Sequence, residues 1–442
     1  MPIWEKLLQK FIGARRPEVD AGLEGERPVN AHLDANLKYI DEVFANAPDL
    51  ICRRLTVGQR QAALVYLKGI TDPRLIQQGI ADPLLQCKSS KSSREVTDCL
   101  SASRFECTGD LNDALQNMLD GRVVLLCQGL TTAISIEVTQ FAKRAITEPK
   151  SDAAINGPQE GFIESLEDNV ALVRRRLRTP AFKAQVKRLG VLTKTPVLVC
   201  YLEDRVDKQL LAEVEDRLQR MQQRENLPKI LDSYYIVESI SDHPLSPFPQ
   251  ILQTERPDVV AAHLAEGRVC LLIDGSPVAL AMPAAFFDFF QTADDYYLHP
   301  LFSSLSRWLR LLAVLISTSA SAMYVAVTTF HYEVIPSRLV LSVARNRAMV
   351  PLSSFLEALV MEVTIELLRE ATIRLPATVG QVIGVVGALV VGQAAVQAGV
   401  VAPLLVIVVA ISTIAAFAIP NNEQASAIRL IRFPLLVAAN FL

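Results

Sequence analysis

The most constraining feature of this chain is the stretch from Leu375 to Asn422, which contains no ionisable side chain. It consists mainly of Val, Ile, Leu, Ala and Gly, in runs too long for the core of a water-soluble domain. A membrane-spanning helix needs about 20 consecutive apolar residues, and this stretch holds two such lengths, 378–401 and 403–419. Because lipid offers no partners to backbone polar groups, both must be helical. The sequence therefore predicts a membrane protein.

Further apolar segments extend this prediction to the whole C-terminal third. One apolar run lies upstream, and the final segment is too short to cross a bilayer, so we expect its helix to be truncated at Leu442. We predict an α-helical transmembrane domain over 306–442, with helices at about 309–330, 353–372, 378–401, 403–419 and a truncated 434–442.

The charged residues divide the chain in the same place. Residues 301–442 contain nine Arg, no Lys and six Glu, whereas the first 300 residues are mildly acidic and have the composition of a soluble region. The N-terminus lacks the apolar core of a secretory signal, so we expect this region to stay in the cytosol. It holds all seven cysteines, an odd number without a CxxC pair, and we expect free, reduced thiols.

A repeat indicates how the soluble region is organised. DGRVVLLCQG (120–129) matches EGRVCLLIDG (266–275) at six of ten positions, and a second strand-like run follows each. The alternative is that such short strings recur by chance among buried strands. The repeat predicts an N-terminal α/β region of two similar subdomains, followed by the α-helical membrane domain. We place a flexible tail at 1–32, subdomain 1 at 33–158 and subdomain 2 at 159–305.

Two segments of subdomain 2 could face a membrane. An amphipathic helix over 161–178 carries Arg174, Arg175, Arg176 and Arg178, which are candidates for contact with a membrane surface or a partner. A solvated, salt-bridged face is the alternative. The segment 286–297 (FFDFFQTADDYY) contains six aromatic residues, a composition that suits a membrane interface or packing within subdomain 2.

The helix predicted near 353–372 is apolar and yet acidic. Glu362, Glu366 and Glu370 share one face of it, and Glu357 precedes them. Carboxylates in lipid are costly and must meet water, cations or partners. Either the helix lies at the interface, or it crosses the membrane in an oligomer and turns its acids towards an aqueous path. All four residues are candidates for a pore lining or a polar membrane face.

The following segment is built for contact with other helices. Small residues let helix backbones approach closely, and amides can hydrogen-bond across the interface. The helix-packing candidates are Gly380, Gly384, Gly387, Gly392, Gln393 and Gln397.

Enzymatic function is not indicated by any pattern. The chain has no GxxxxGK[ST], HExxH or GxSxG motif, and its histidines are scattered. We therefore expect no catalytic residues, no metal site, no cofactor and no nucleic-acid partner.

Several ordered motifs resemble one family. From about Asn36 to Leu442 the chain is similar to the A subunits of GerA-type spore germinant receptors, and the motifs that carry the resemblance are SDHPLSPFPQ, TERPD, EGRVCLLIDGSP, FFDFFQTADDYY and EALVMEVTIELLREATIRLP. The resemblance implies a cytosolic N-terminal domain, about five membrane helices in the inner spore membrane, and assembly with a transporter-like B subunit and a lipoprotein C subunit.

Two functions remain open at this point. The resemblance implies a self-oligomer in contact with membrane lipid that forms a ligand-gated, ion-conducting pore and triggers germination. The alternative is a membrane-anchored scaffold, or an accessory subunit of a spore ion and dipicolinate release channel of the same family.

Overall fold

The computed structural model divides into an N-terminal unit (Met1–Ala154, Pro158–Asp242 and Ile251–Pro283) and a helical unit (Ile155–Gly157, His243–Gln250 and Ala284–Leu442). The helical unit begins earlier than the predicted residue 306. The structure describes Leu23 and residues 25–45, 47–87, 92–100, 104–138, 157–190, 193–222, 233–243, 245–376 and 392–441.

The first half of the N-terminal unit is built on one antiparallel sheet. Its strands are β1 (Leu50–Val57), β2 (Arg60–Leu67), β3 (Phe105–Thr108), β4 (Arg122–Cys127) and β5 (Ala133–Glu137), in the order β1-β2-β4-β5-β3. The helices are α1 (Leu33–Val43), α2 (Pro73–Ile76), α3 (Asp82–Gln86), α4 (Ser93–Asp98) and α5 (Leu111–Leu119), with a π-helical turn at Gln77–Ala81. The central strand β4 is a Val and Leu run that is buried on both faces, because helices cover the sheet on each side.

The second half repeats this plan. Its strands are β6 (Phe182–Leu189), β7 (Thr195–Leu202), β8 (Leu252–Thr254), β9 (Val269–Ile273) and β10 (Ala279–Met282), in the order β6-β7-β9-β10-β8. Its helices are α6 (Leu166–Arg176), α7 (Lys208–Gln222), α8 (Ser233–Ile240) and α9 (Pro257–Ala265). The sheet is again covered on both faces, by α6 and α9 on one side and by α7 and α8 on the other.

The two sheets share strand order and also individual hydrogen bonds. Asn36 in α1 bonds through its amide to both backbone groups of Asn30, and Asn169 in α6 does the same with Ile163, six residues before it in each case. The N–H of Gly129 donates to Ala31, and that of Gly275 donates to Glu164, again at equivalent positions. Chance recurrence of short strings does not produce matching long-range contacts, so the structure supports a duplication.

The cysteines differ from the expectation of seven free thiols. Cys87, which follows α3, and Cys99, which follows α4, form a disulfide with their Cα atoms 5.8 Å apart. Cys52, Cys107, Cys127, Cys200 and Cys270 are free, and the last three are buried. Burial raises the pKa of the Cys200 thiol to about 12, so this thiol stays protonated at neutral pH.

The helical unit contains α10 (Asp294–Tyr297), α11 (Pro300–Thr329), α12 (Ser337–Arg347), α13 (Ser354–Arg374), α14 (Pro403–Phe417) and α15 (Asn422–Ala439), with short 3₁₀ turns at Phe286–Phe290 and Tyr332–Val334. Most of the predicted helix 378–401 lies outside the described residues. The last helix begins at Asn422, well before the predicted 434, because Asn421 caps its first turn through the N–H of Gln424. Pro434 lies inside this helix.

Helices α11, α13, α14 and α15 pack around a small apolar core that includes Val325, Met361, Leu405, Val409 and Leu436. Among the described residues, α11 alone is both long and apolar enough to cross a membrane, and α14 is apolar but shorter. Large apolar side chains nevertheless point outward from all four helices, such as Leu315, Val363, Ile411 and Leu430.

Candidate functional site

The predicted acidic stripe of α13 lies partly inside the helical unit. Glu362 is about 1% exposed and forms an ion pair with Arg432 of α15, whose Nη1 lies 2.6 Å from Oε2. Ser321 of α11 donates to the other carboxylate oxygen. Arg432 also donates through Nε to the carbonyl of Ser317 at 2.9 Å and through Nη2 to its hydroxyl at 3.0 Å. This Glu362 cluster, formed by Ser317, Ser321, Glu362 and Arg432, joins three helices.

The cluster explains how charge can exist among apolar helices. A buried carboxylate and a buried guanidinium each carry a large desolvation cost, which is offset when they pair and their remaining hydrogen-bonding groups find partners. Both oxygens of Glu362 are satisfied, and each nitrogen of Arg432 donates at least one bond. Within this chain Glu362 therefore meets a partner on a neighbouring helix, and it faces neither the membrane interface nor an aqueous path.

Glu357 is also buried, near the N-terminal end of α13. Its Oε2 accepts the backbone N–H of Ala402 at 3.0 Å, just before α14 begins. Its Oε1 has no hydrogen-bond partner among the described residues, and the hydroxyl of Tyr324 also has none there. Tyr324 and Arg347 lie close enough to Glu357 to interact with it electrostatically. Arg347 in turn donates to the carbonyl of Thr328 at 3.0 Å.

The remaining two acids of the stripe are accessible. Glu366 lies 3.5 Å from Arg429 of α15, and its side chain is partly exposed. Glu370 pairs with Arg374 one turn further along α13 at 2.6 Å, and both side chains are exposed. The four glutamates therefore divide into a buried pair and an accessible pair along one helix.

The helix-packing candidates are described only in part. Gly380, Gly384 and Gly387 lie outside the described residues. A Cβ at Gly392 would lie 3.8 Å from a methyl group of Val406, an ordinary van der Waals contact, so this position borders α14 without requiring glycine. Gln393 and Gln397 are exposed on the surface of this chain.

The arginines of α6 correct a sequence prediction. Arg174 is fully buried, where Nε and Nη2 bond both oxygens of Asp49 at 2.9 and 3.0 Å, and Nη1 donates to the carbonyls of Thr179 and Phe182. It therefore joins the two subdomains and is unavailable to a membrane surface. The other three pair with acids: Arg175 and Arg176 with Glu160, and Arg178 with Asp120.

Sequence reasoning missed two of these residues. The last helix was predicted over 434–442, which begins after Arg432 and leaves this arginine outside the helix. An arginine inside an apolar helix is a signal in itself, since such a charge needs an acidic partner, and α13 is the apolar helix that carries acids. Asp49 gave no comparable signal, because it lies 125 residues from Arg174.

Comparison with known proteins assigns the chain to a family. The sequence-family model described as the Bacillus/Clostridium GerA spore germination protein matches residues 38–442. The chain is 36% identical to the spore germination protein KA of Bacillus subtilis (strain 168), covering 94% of this chain and 77% of the relative. It is also 34% identical to the spore germination protein GerQA of Bacillus cereus (92% and 81% covered) and 35% identical to the uncharacterized membrane protein YfkQ of Bacillus subtilis (strain 168) (94% and 81%).

One solved structure is also similar. It is the crystal structure of the N-terminal domain of the A subunit of the Bacillus megaterium spore germinant receptor GerK3, which is 28% identical, with a TM-score of 0.44. The match covers 60% of this chain and 99% of that one. The family resemblance seen in the sequence motifs is confirmed by the match over residues 38–442, and the chain belongs to the GerA family of spore germination proteins.

Proposed function

We propose that this chain is the A subunit of a nutrient germinant receptor that crosses the membrane several times and forms an ion-conducting oligomer. The observation that carries the proposal is the family match over residues 38–442, together with relatives named as spore germination proteins at 34–36% identity. The N-terminal unit is the cytosolic part in this proposal. A transporter-like B subunit and a lipoprotein C subunit are its expected partners.

The packing of the helical unit supports membrane insertion. Helices α11, α13, α14 and α15 expose Leu, Ile, Val and Phe side chains, while Glu357, Glu362 and Arg432 are buried between them. This distribution is the reverse of a water-soluble bundle and suits a lipid surround, in which charges turn inward and pair. One relative, YfkQ, is named as a membrane protein.

The accessible acids of α13 support conduction. In an oligomer, the partly exposed Glu366 and the exposed Glu370 would recur once in every subunit. Rings of carboxylates of this kind attract and select cations. Binding of a nutrient to the complex would then favour the open arrangement, by no more than its difference in affinity for the two states.

Charge removal tests the conduction step. We expect spores carrying Glu366→Gln or Glu370→Gln to release cations more slowly after nutrient addition, with unchanged amounts of the protein by immunoblot. Glu333→Gln is the matched control, because Glu333 is an exposed acid of the helical unit outside α13. Normal cation release in both α13 variants would favour the scaffold or accessory function. Glu362→Gln is a separate case, because its partner Arg432 would lose its counter-charge.

A further inference from the structure

We propose that residues 286–308 form an interfacial collar, a lipid-binding surface that lies in the headgroup region of the membrane and sets the depth of α11. The proposal rests on the membrane insertion proposed above and goes beyond it. Its ligand is the boundary between lipid headgroups and acyl chains.

The collar exposes an unusual number of large apolar side chains. At the start of α11, Leu301 is 75% exposed and Trp308 is 71% exposed, and Phe302 and Leu305 are each more than half exposed. Phe287 and Tyr296 are exposed just before them. A contiguous surface of this composition marks a protein or membrane contact, whereas single exposed apolar residues are normal.

The length of α11 places the collar outside the hydrocarbon. The helix has 30 residues and is about 45 Å long, longer than the roughly 30 Å hydrocarbon layer. Arg307 and Arg310 lie in its third turn, and the 19 residues from Leu311 to Thr329 contain no Asp, Glu, Lys or Arg. Those 19 residues alone span about 28 Å, enough to cross the hydrocarbon. The exposed apolar residues before Arg310 therefore fall at headgroup level.

A buried carboxylate fixes the collar to the helix. Asp295 accepts from Arg310 Nη1 at 2.7 Å and from Arg307 Nε at 3.3 Å, and its carbonyl accepts from the hydroxyl of Ser303 at 2.7 Å. Arg310 also donates to the carbonyl of Phe290 at 3.0 Å. These bonds hold the segment before α11 against its first turns, with Asp295 buried and both arginines paired to it.

Continuity with the span favours lipid over a protein partner. Leu301, Leu305 and Trp308 are spaced by four and three residues, and Leu312 and Leu315 continue the same exposed stripe along α11. One surface thus leads from the headgroup level into the hydrocarbon without a break. Trp and Tyr are also the residues enriched at the level where a span leaves the hydrocarbon.

Trp308 itself can report the depth of the collar. The sequence has two tryptophans, Trp4 and Trp308, so Trp4→Phe leaves Trp308 as the sole fluorophore. The full chain is reconstituted into vesicles of phosphatidylethanolamine and phosphatidylglycerol brominated either near the headgroup end of the acyl chain or near its tail. A matched variant, Trp4→Phe/Trp308→Phe/Leu315→Trp, carries the fluorophore two turns deeper, by about 10 Å along the helix.

We expect Trp308 to be quenched more by shallow than by deep bromine, and the tryptophan at position 315 to show the opposite ratio. Two results would overturn the collar while quenching at position 315 still shows insertion. In the first, iodide in the buffer quenches Trp308 and brominated lipid does not, so the residue faces water. In the second, neither iodide nor brominated lipid quenches Trp308, as expected if a second copy of the chain covers it. Stronger quenching of Trp308 by deep bromine would also overturn it. Lack of lipid quenching at both positions would refute the membrane insertion as well.

Discussion

Each of the two units of this chain contains a buried arginine, and the two arginines join the parts of their own units in different ways. Arg174 of the N-terminal unit donates two hydrogen bonds to Asp49, and its remaining nitrogen donates to two backbone carbonyls. Arg432 of the helical unit donates to Glu362 through one nitrogen. Two serines of α11 make the remaining bonds: Ser321 donates to Glu362, and Ser317 accepts from Arg432. The first pair joins two subdomains distant in sequence, whereas the second joins three neighbouring helices. The same chemistry therefore serves docking in one unit and charge neutralisation among apolar helices in the other.

The largest expected effect is at Arg174. Arg174→Met leaves Asp49 buried without a counter-charge, and we expect a loss of about 3–5 kcal/mol in the stability of the N-terminal unit. Hydrogen exchange of the full chain, followed in β1 and β6, measures this loss. Arg178→Met is the control, since its pair with Asp120 is exposed and worth less than about 1 kcal/mol. Equal effects of the two variants would show that Arg174 does not hold the subdomains together.

A somewhat smaller effect is expected in the Glu362 cluster. Glu362→Leu or Arg432→Met alone leaves one unpaired charge among apolar helices, at a cost of about 2.5–3.5 kcal/mol. The double variant leaves no unpaired charge, and replacing a whole buried ion pair by apolar residues often leaves stability unchanged. We therefore expect less protein in the membrane fraction for each single variant and recovery in the double variant.

Cation release separates the structural role of this pair from a role in conduction. A double variant that reaches wild-type amounts and releases cations normally would show that the pair only joins helices. If it accumulates but conducts poorly, Glu362 belongs to the ion path after all.

A third arginine contact should respond to pH. Burial raises the pKa of Asp295, but its bonds to Arg310, to the N–H of Thr292 and to Arg307 outweigh burial and hold the pKa below the usual 3.8. A depressed folded-state pKa stabilises the fold above the unfolded pKa, and this stability is lost as pH falls through the folded pKa. We expect Asp295→Asn to melt below the wild type at pH 7 and the difference in melting temperature to shrink below about pH 4. A constant difference across this range would refute the ionic contribution.

The sequence predicted the duplicated N-terminal unit well, because a strand pattern with its turn glycine is a local signal. The ten-residue strings at 120–129 and 266–275 lie at equivalent β-hairpins of the two sheets. The matching bonds of Asn36 and Asn169 were not predicted, because each links an asparagine to backbone groups six residues earlier, and neither asparagine lies in the repeated string.

The site was predicted less well, for two physical reasons. Amphipathic spacing places an arginine on the polar face of a helix, and Arg174 was therefore assigned to a surface, whereas another subdomain covers that face. The last helix was predicted to begin at residue 434, whereas it begins twelve residues earlier, after its asparagine cap. A tertiary partner decided the first outcome, and a local asparagine cap decided the second.

The smallest expected effect on stability is at Glu370, and it sharpens the test of conduction. Glu370 and Arg374 form an exposed i,i+4 pair, and such pairs contribute only about 0.3–0.5 kcal/mol. We therefore expect Glu370→Gln to leave the thermal midpoint of the purified chain almost unchanged, with Arg374→Gln as the matched control. Slower cation release in Glu370→Gln spores alone would then reflect the carboxylate itself. A similar slowing in both variants would instead implicate the ion pair, because only the glutamate variant removes a negative charge.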